Sequence, residues 1–220
     1  MVLIIGVAGA IASGKSTACQ ILSEQGAVHC DADKLVHRMY DPGKPAFDRI
    51  INEFGQDVVG SDGFIDRKIL GGKVFGSPDK MSKLTKAIGN IQEEIEGVMK
   101  QWRKDLNHDD IALMEAVNFM DSGYGRYSDL TWLFAVDDDV ALKRLMDRNN
   151  LDLDGAKQRL ASQRHWTERK DGADIITHNN GTLEDLVSIV NSEIKTLKTN
   201  QKNRSLPISK YNDWWNAKTS

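Results

Sequence analysis

An α/β fold built on a parallel sheet is what this sequence predicts, and three observations lead there. Short apolar runs alternate with segments of helical periodicity along the chain, the order in which strand–helix–strand units build a parallel sheet. Residues 2 to 8, VLIIGVA, are apolar without interruption, as a central strand covered on both faces must be. Residues 9 to 16 read GAIASGKS, a glycine-containing loop set between that strand and the next helix. Composition agrees. With 220 residues, 40% hydrophobic and 28% charged, the chain can bury a large core without disulfide staples, and collagenous, coiled-coil and broadly disordered classes are excluded.

The helix after the loop is expected over residues 15 to 25, where Ala18, Ile21 and Leu22 share a face and Gly26 stands at a C-terminal cap position. A second strand, Ala27 to Cys30, then runs into Asp31-Ala32-Asp33. From Lys34 to about Asp105 the pattern is helical, with starts marked by Pro45, by Asp66 and by Ser77-Pro78. Leu84, Ile88, Ile91, Ile95, Val98 and Trp102 step by four and three, the apolar face of one long helix, bent at Gly89. Strands resume at Ile111–Ala116 and Thr131–Val136. Helices are expected at 138–148 and 153–165, a strand at Asp174–Thr177, and a helix from Thr182 opened by a capping-box pattern with Asp185. The sequence thus divides into a core of 1–33, 109–142 and 171–198, a helical insertion of 34–108, a basic helical segment of 143–170, and a polar, basic tail of 199–220, read as mobile despite Trp214-Trp215.

Charge narrows the partners. Lys195–Ser220 carries +5, which leaves −8 on the rest of a chain whose net charge is −3, so no nucleic-acid surface is expected. Val2–Ala12 is too short an apolar stretch to span a membrane. Cys19 and Cys30 read as reduced thiols of a cytoplasmic protein. The histidines at 29, 37, 108, 165 and 178 show no metal-ligand spacing.

GAIASGKS matches G-x-x-x-x-G-K-[ST], the P-loop, which sharpens the fold to a P-loop NTPase. Gly9 and Gly14 let the backbone curl so that the amides of Ala12, Ser13 and Gly14, with the following helix N-terminus, face the phosphates of ATP. Lys15 would reach the β and γ phosphates, Ser16 would ligate Mg²⁺, and Thr17 would donate to a neighbouring phosphate oxygen. No asparagine is followed by lysine, so the N-K-x-D segment that reads guanine is missing. A small-molecule kinase needs an acid beside the loop and an arginine-bearing lid. Asp31 and Asp33, at the carboxyl end of the second strand, supply the acid; Asp33 suits a general base, and either could instead cap the next helix. Residues 143–170 hold eight Lys or Arg against four acids. Arg144 and Arg148 share a helix face there; Arg148 and Arg159 fit a lid that neutralises charge on the transferring group, while Arg164 and Arg169 read equally as surface.

With these residues in view, the chain from about 3 to 190 resembles the dephospho-CoA kinase family. The likeness rests on GAIASGKST, DADKLVH at 31–37, FG at 54–55, GFIDRKILGGKVF at 63–75, LKRLMDRNNLDLDGAKQRLASQ at 142–163, and AD followed by NNG within 173–181. It implies a P-loop kinase with a helical substrate-binding insertion and a helical lid, moving the ATP γ-phosphate to the ribose 3′-hydroxyl of dephospho-CoA. It further implies Asp33 as base, Arg67 as a substrate-side contact, Arg148 and Arg159 as lid positions and Asn179 near adenine; Arg144, on the helix face of Arg148, is expected beside ATP. After its third strand the family has an acid, Pro-Leu-Leu, an apolar residue and a glutamate. Here Glu115 keeps an acid able to order Mg²⁺, and Asp121 one on the acceptor side, with Asp31. The family's His-Pro pair is replaced by Gly89-Asn90, and Ala10 and Ala12 stand where glycines are usual. The expectation is a monomeric, cytoplasmic, Mg²⁺-dependent ATP kinase acting on a small molecule, dephospho-CoA. A related kinase with another nucleotide or small-alcohol acceptor and a nucleotide-binding regulator without turnover are the alternatives.

Overall fold

The structure is a computed structural model, and residues 1–219 are described. Its strands, β1 (Leu3–Gly9), β2 (Val28–Asp31), β3 (Ile111–Glu115), β4 (Leu130–Ala135) and β5 (Ile175–His178), lie in the order β2-β3-β1-β4-β5. Every neighbouring pair is parallel. The helices are α1 (Lys15–Glu24), α2 (Ala32–Arg38), α3 (Pro45–Phe54), α4 (Arg67–Val74), α5 (Pro78–Ile88), α6 (Ile91–Asp105), α7 (Asp138–Asn149), α8 (Leu153–Ala161), α9 (Leu183–Lys202) and α10 (Tyr211–Thr219).

The chain forms two compact units, one of residues 1–31 and 96 onward, the other Ala32–Ile95. In the first, Leu3, Ile5 and Val7 of β1 pack with Leu113, Trp132 and Phe134 on one sheet face, under Ala18 and Leu22 of α1 and Leu186 and Val190 of α9. Burying each large apolar side chain contributes roughly 1.5–3 kcal/mol, which is why uninterrupted apolar runs become the inner strands. The connection from β1 leads past β3 to β2, whereas that from β3 crosses β1 to β4. Connections that part in opposite directions open a crevice at the carboxyl ends of the two strands. Gly9 ends β1 there and Glu115 ends β3.

The second unit is helical, as expected, and closes around Ile50, Val58 and Leu70. The expected long bent helix is instead two helices. Gly89, at φ +109° and ψ −156°, lies in a region that L side chains rarely enter, and it ends α5. The Arg49 guanidinium donates to the carbonyls of Ala87 (2.8 Å) and Ile88 (3.3 Å), and Asn90 Oδ1 accepts from the Glu93 amide as α6 begins. The unit also ends at Ile95 rather than at 108, so most of α6 belongs with the sheet.

The reading of 199 onward as a mobile tail is overturned. α9 runs on to Lys202, and α10 is anchored: Tyr211 is fully buried and its hydroxyl donates to the Met120 carbonyl at 2.6 Å. Ser209 Oγ and the Lys210 amide both bond the Asp174 carboxylate at 2.7 Å. Tyr211, Trp214, Trp215 and Lys218 follow helical spacing, so a polar average concealed one apolar face. Ser220, the last residue of that expected tail, lies outside the described residues. The helix expected at 153–165 stops at Ala161, and a 3-10 turn, Trp166–Glu168, follows.

Candidate functional site

The loop between β1 and α1 is shaped by its own backbone. Ala12 holds φ +62° and Gly14 φ +87°, with Ser13 between them outside the left-handed region, and such an alternation turns successive amides into a concavity suited to an anion. At Gly14 a methyl group would also stand 2.2 Å from Asn179 Nδ2, so glycine is required there twice over. Asn179 is buried and donates to the Ser13 carbonyl at 2.9 Å. Arg144 of α7 ties the same pieces together, donating to the carbonyls of Asn179 (2.8 Å), Gly181 (2.9 Å) and Ala12 (3.3 Å). The buried Ser13 hydroxyl has no hydrogen-bond partner among the described residues.

Glu115 is the electrostatic centre. Its carboxylate accepts from the Ser16 hydroxyl, lies 3.5 Å from Lys15 Nζ and 3.0 Å from His29 Nε2. Burial opposes its charge, but the His29 and Ser16 hydrogen bonds and the Lys15 ammonium outweigh that and hold its pKa down to about 2. It is therefore an anion at any physiological pH. Asp31 is its register partner on β2. The serine hydroxyl and glutamate carboxylate form a hard oxygen set of the kind Mg²⁺ prefers, so the residues present fit that ion.

Beside the loop, a cavity of about 530 Å³ is lined by Ala12, Gly14, Thr17, Arg148, Asn179 and Leu186, among others. Arg148 is exposed at its rim and donates to Asn149 Oδ1. Arg159 is exposed on α8 and is not among the lining residues. Asp121, expected on the acceptor side, is held elsewhere. Its oxygens lie 2.6 Å from Arg169 Nε, 2.8 Å from Lys218 Nζ and 3.5 Å from Arg164 Nη1, and those cations overcome burial to lower its pKa. It is a structural anchor for α10, and Arg169, 1% exposed, is core rather than lid.

Three residues of the site escaped the sequence reading. His29 shares a face of β2 with Asp31 by period-two alternation, a signal that points at Glu115 only once the register is known. Cys19 follows Lys15 by one helical turn, and its thiol meets the Glu115 carboxylate. Gln163 accepts from the Ile11 amide of the loop at 2.8 Å across 152 residues, a pairing that no local pattern announces.

In the helical unit, Asp33 stands in the first turn of α2, and Arg67 opens α4 behind the Asp66 cap. Arg67 Nη1 donates to His37 Nδ1 at 2.8 Å. Both line a cavity of about 430 Å³ with Tyr40, Ser61 and Phe64. Burial raises the Tyr40 pKa despite the Arg67 charge.

Residues 3–185 match the family model of dephospho-CoA kinase. The dephospho-CoA kinase of Streptococcus pyogenes is 36% identical over 203 residues, covering 89% of this chain and 98% of that protein. That of Streptococcus pneumoniae is 34% identical over 188 residues, covering 85% and 92%. The solved dephospho-CoA kinase from Campylobacter jejuni superimposes with a TM-score of 0.69 at 28% identity, covering 90% of this chain and 98% of that one.

Proposed function

This chain belongs to the dephospho-CoA kinase family, and we propose that it transfers the ATP γ-phosphate to the ribose 3′-hydroxyl of dephospho-CoA with the residues assigned below. The observation that carries the reading is the junction of Lys15, Ser16 and Glu115 at the carboxyl ends of β1 and β3. Phosphoryl transfer asks little covalent chemistry of a protein and much positioning and charge stabilisation.

The amides of Ala12–Gly14 and the α1 N-terminus cradle the polyphosphate, and Lys15 carries its cation to the β and γ oxygens. Thr17, Arg144 and Asn179 border the cavity that receives the nucleoside part. Ser16 and Glu115 would hold Mg²⁺, which when bound would neutralise part of the polyphosphate charge. Arg148 at the cavity rim supplies positive charge to the transferring group, with Arg159 joining when the lid segment 143–170 closes. Asp33 takes the proton from the acceptor hydroxyl, and Arg67, with Asp31, holds the acceptor. The insertion 34–108 is the acceptor-binding part, and the enzyme works as a cytoplasmic monomer. No helix of the described residues is long and apolar enough to cross a membrane.

A coupled assay of ADP release over a panel of acceptors tests this. Dephospho-CoA should support turnover, with the product phosphorylated at the 3′ position. Asp33→Asn should lower kcat about a hundredfold to ten-thousandfold, the usual worth of a general base, while ATP affinity stays unchanged. Turnover with another nucleotide or alcohol alone would reassign the acceptor, and full activity of Asp33→Asn would remove the base.

A further inference from the structure

Two groups beside Glu115 are given no role in the phosphoryl transfer proposed above. Cys19 is 1% exposed on α1, and the His29 side chain is 22% exposed at the end of β2. Cys19 Sγ, a His29 ring nitrogen and a Glu115 carboxylate oxygen all lie within 4.8 Å of one another, and His29 Nε2 is already 3.0 Å from Glu115 Oε2. A thiol, an imidazole and one carboxylate make a poor set for Mg²⁺, which demands oxygen. They make a good set for a thiophilic divalent cation, because zinc is commonly held by three such ligands with an open fourth position. Bonds of roughly 2.0–2.3 Å place tetrahedral ligand atoms roughly 3.5 Å apart, so this trio needs to close by only about 1 Å. The partly exposed imidazole gives the ion a way in.

We infer that Cys19, His29 and Glu115 form a second cation site, selective for Zn²⁺-like ions, whose filling shuts down the kinase. Binding forms a metal–sulfur bond as the Cys19 S–H bond breaks; the proton leaves to solvent, and nothing is oxidised or reduced. The cost to function follows from the shared carboxylate. Once Glu115 ligates the soft ion, it is withdrawn from Ser16 and Lys15, the two residues that face ATP. Only the inhibition rests on the kinase reading; the binding stands apart from it.

The test uses Co²⁺ and Zn²⁺ on the full chain without nucleotide. Co²⁺ should give one equivalent of a thiolate-to-cobalt charge-transfer absorption, which Zn²⁺ bleaches. Cys19→Ser should lose the band and Cys30→Ser should keep it. Cys19→Ala provides a second variant should the serine disturb the core. In the coupled assay at saturating Mg²⁺, Zn²⁺ should inhibit the wild type at a concentration at least about tenfold below that needed for either Cys19 variant, each protein being compared with its own zinc-free turnover. No thiolate band in the wild type, a band that survives in Cys19→Ser, or equal zinc sensitivity of wild type and variants would overturn the inference. An inactive wild type that still shows the Cys19-dependent band would sink the kinase reading and leave the site standing.

Discussion

Glu115 concentrates three demands on one carboxylate: the Lys15 ammonium, the Ser16 hydroxyl and the His29 ring all turn to it. Its pKa falls from the usual 4.5 to about 2, so between those values the unfolded chain binds a proton that the folded chain refuses. Stability therefore rises with pH across that window and is shed as pH falls through it. Denaturant midpoints measured from pH 5 downward should drop more steeply for the wild type than for Glu115→Gln, and parallel curves would refute this. Beyond its pairing with Glu115, Lys15 has a role in the proposed transfer. With Lys15 proposed to carry its charge to the phosphates, kcat of Lys15→Met should fall about a hundredfold to a thousandfold. Such residues were legible in the sequence because the loop motif fixes chemistry by spacing alone. Asp121 was not. Its role depends on Arg169 and Lys218, 48 and 97 residues away in the chain, and an acid after a strand looks the same whether it faces a ligand or a helix.

The elements divide along the same line. Strands and the α9 capping box, where Thr182 and Asp185 bond each other's backbone amides, follow from local pattern, and Thr182→Ala should cost about 1 kcal/mol by denaturation. α10 needed tertiary information, because its helix holds together through what it touches. The Tyr211 hydroxyl closes on the Met120 carbonyl in the interior, and burial drives its pKa well above the ordinary tyrosine value, so it stays a donor. Tyr211→Phe strands that carbonyl and should cost about 1–3 kcal/mol, a loss a denaturation series resolves easily; a neutral result would mean α10 adds nothing to the fold. The 88–91 break belongs here too. A periodic stripe continues across it in sequence, yet Gly89 at φ +109° and the Arg49 cap divide it, and apolar spacing carries no information about a positive φ.

For the whole molecule, the net charge of −3 says less than the division into two units, the first carrying the loop residues proposed for ATP and the second Asp33 and Arg67, proposed for the acceptor. A ligand that binds only the folded chain stabilises it by about 2.7 kcal/mol at a hundred times its dissociation constant. For a chain of this size that raises the thermal midpoint by about 5–11 °C. Mg²⁺-ATP should produce such a rise in the wild type and in Arg67→Ala, but not in Lys15→Met. Dephospho-CoA should produce its own rise in the wild type and in Lys15→Met, but not in Arg67→Ala, whose side chain lines the cavity of the helical unit. Crossed results, with Arg67→Ala losing the ATP shift or Lys15→Met the acceptor shift, would mean that the two ligands are not read by separate units and that Arg67 answers to the nucleotide.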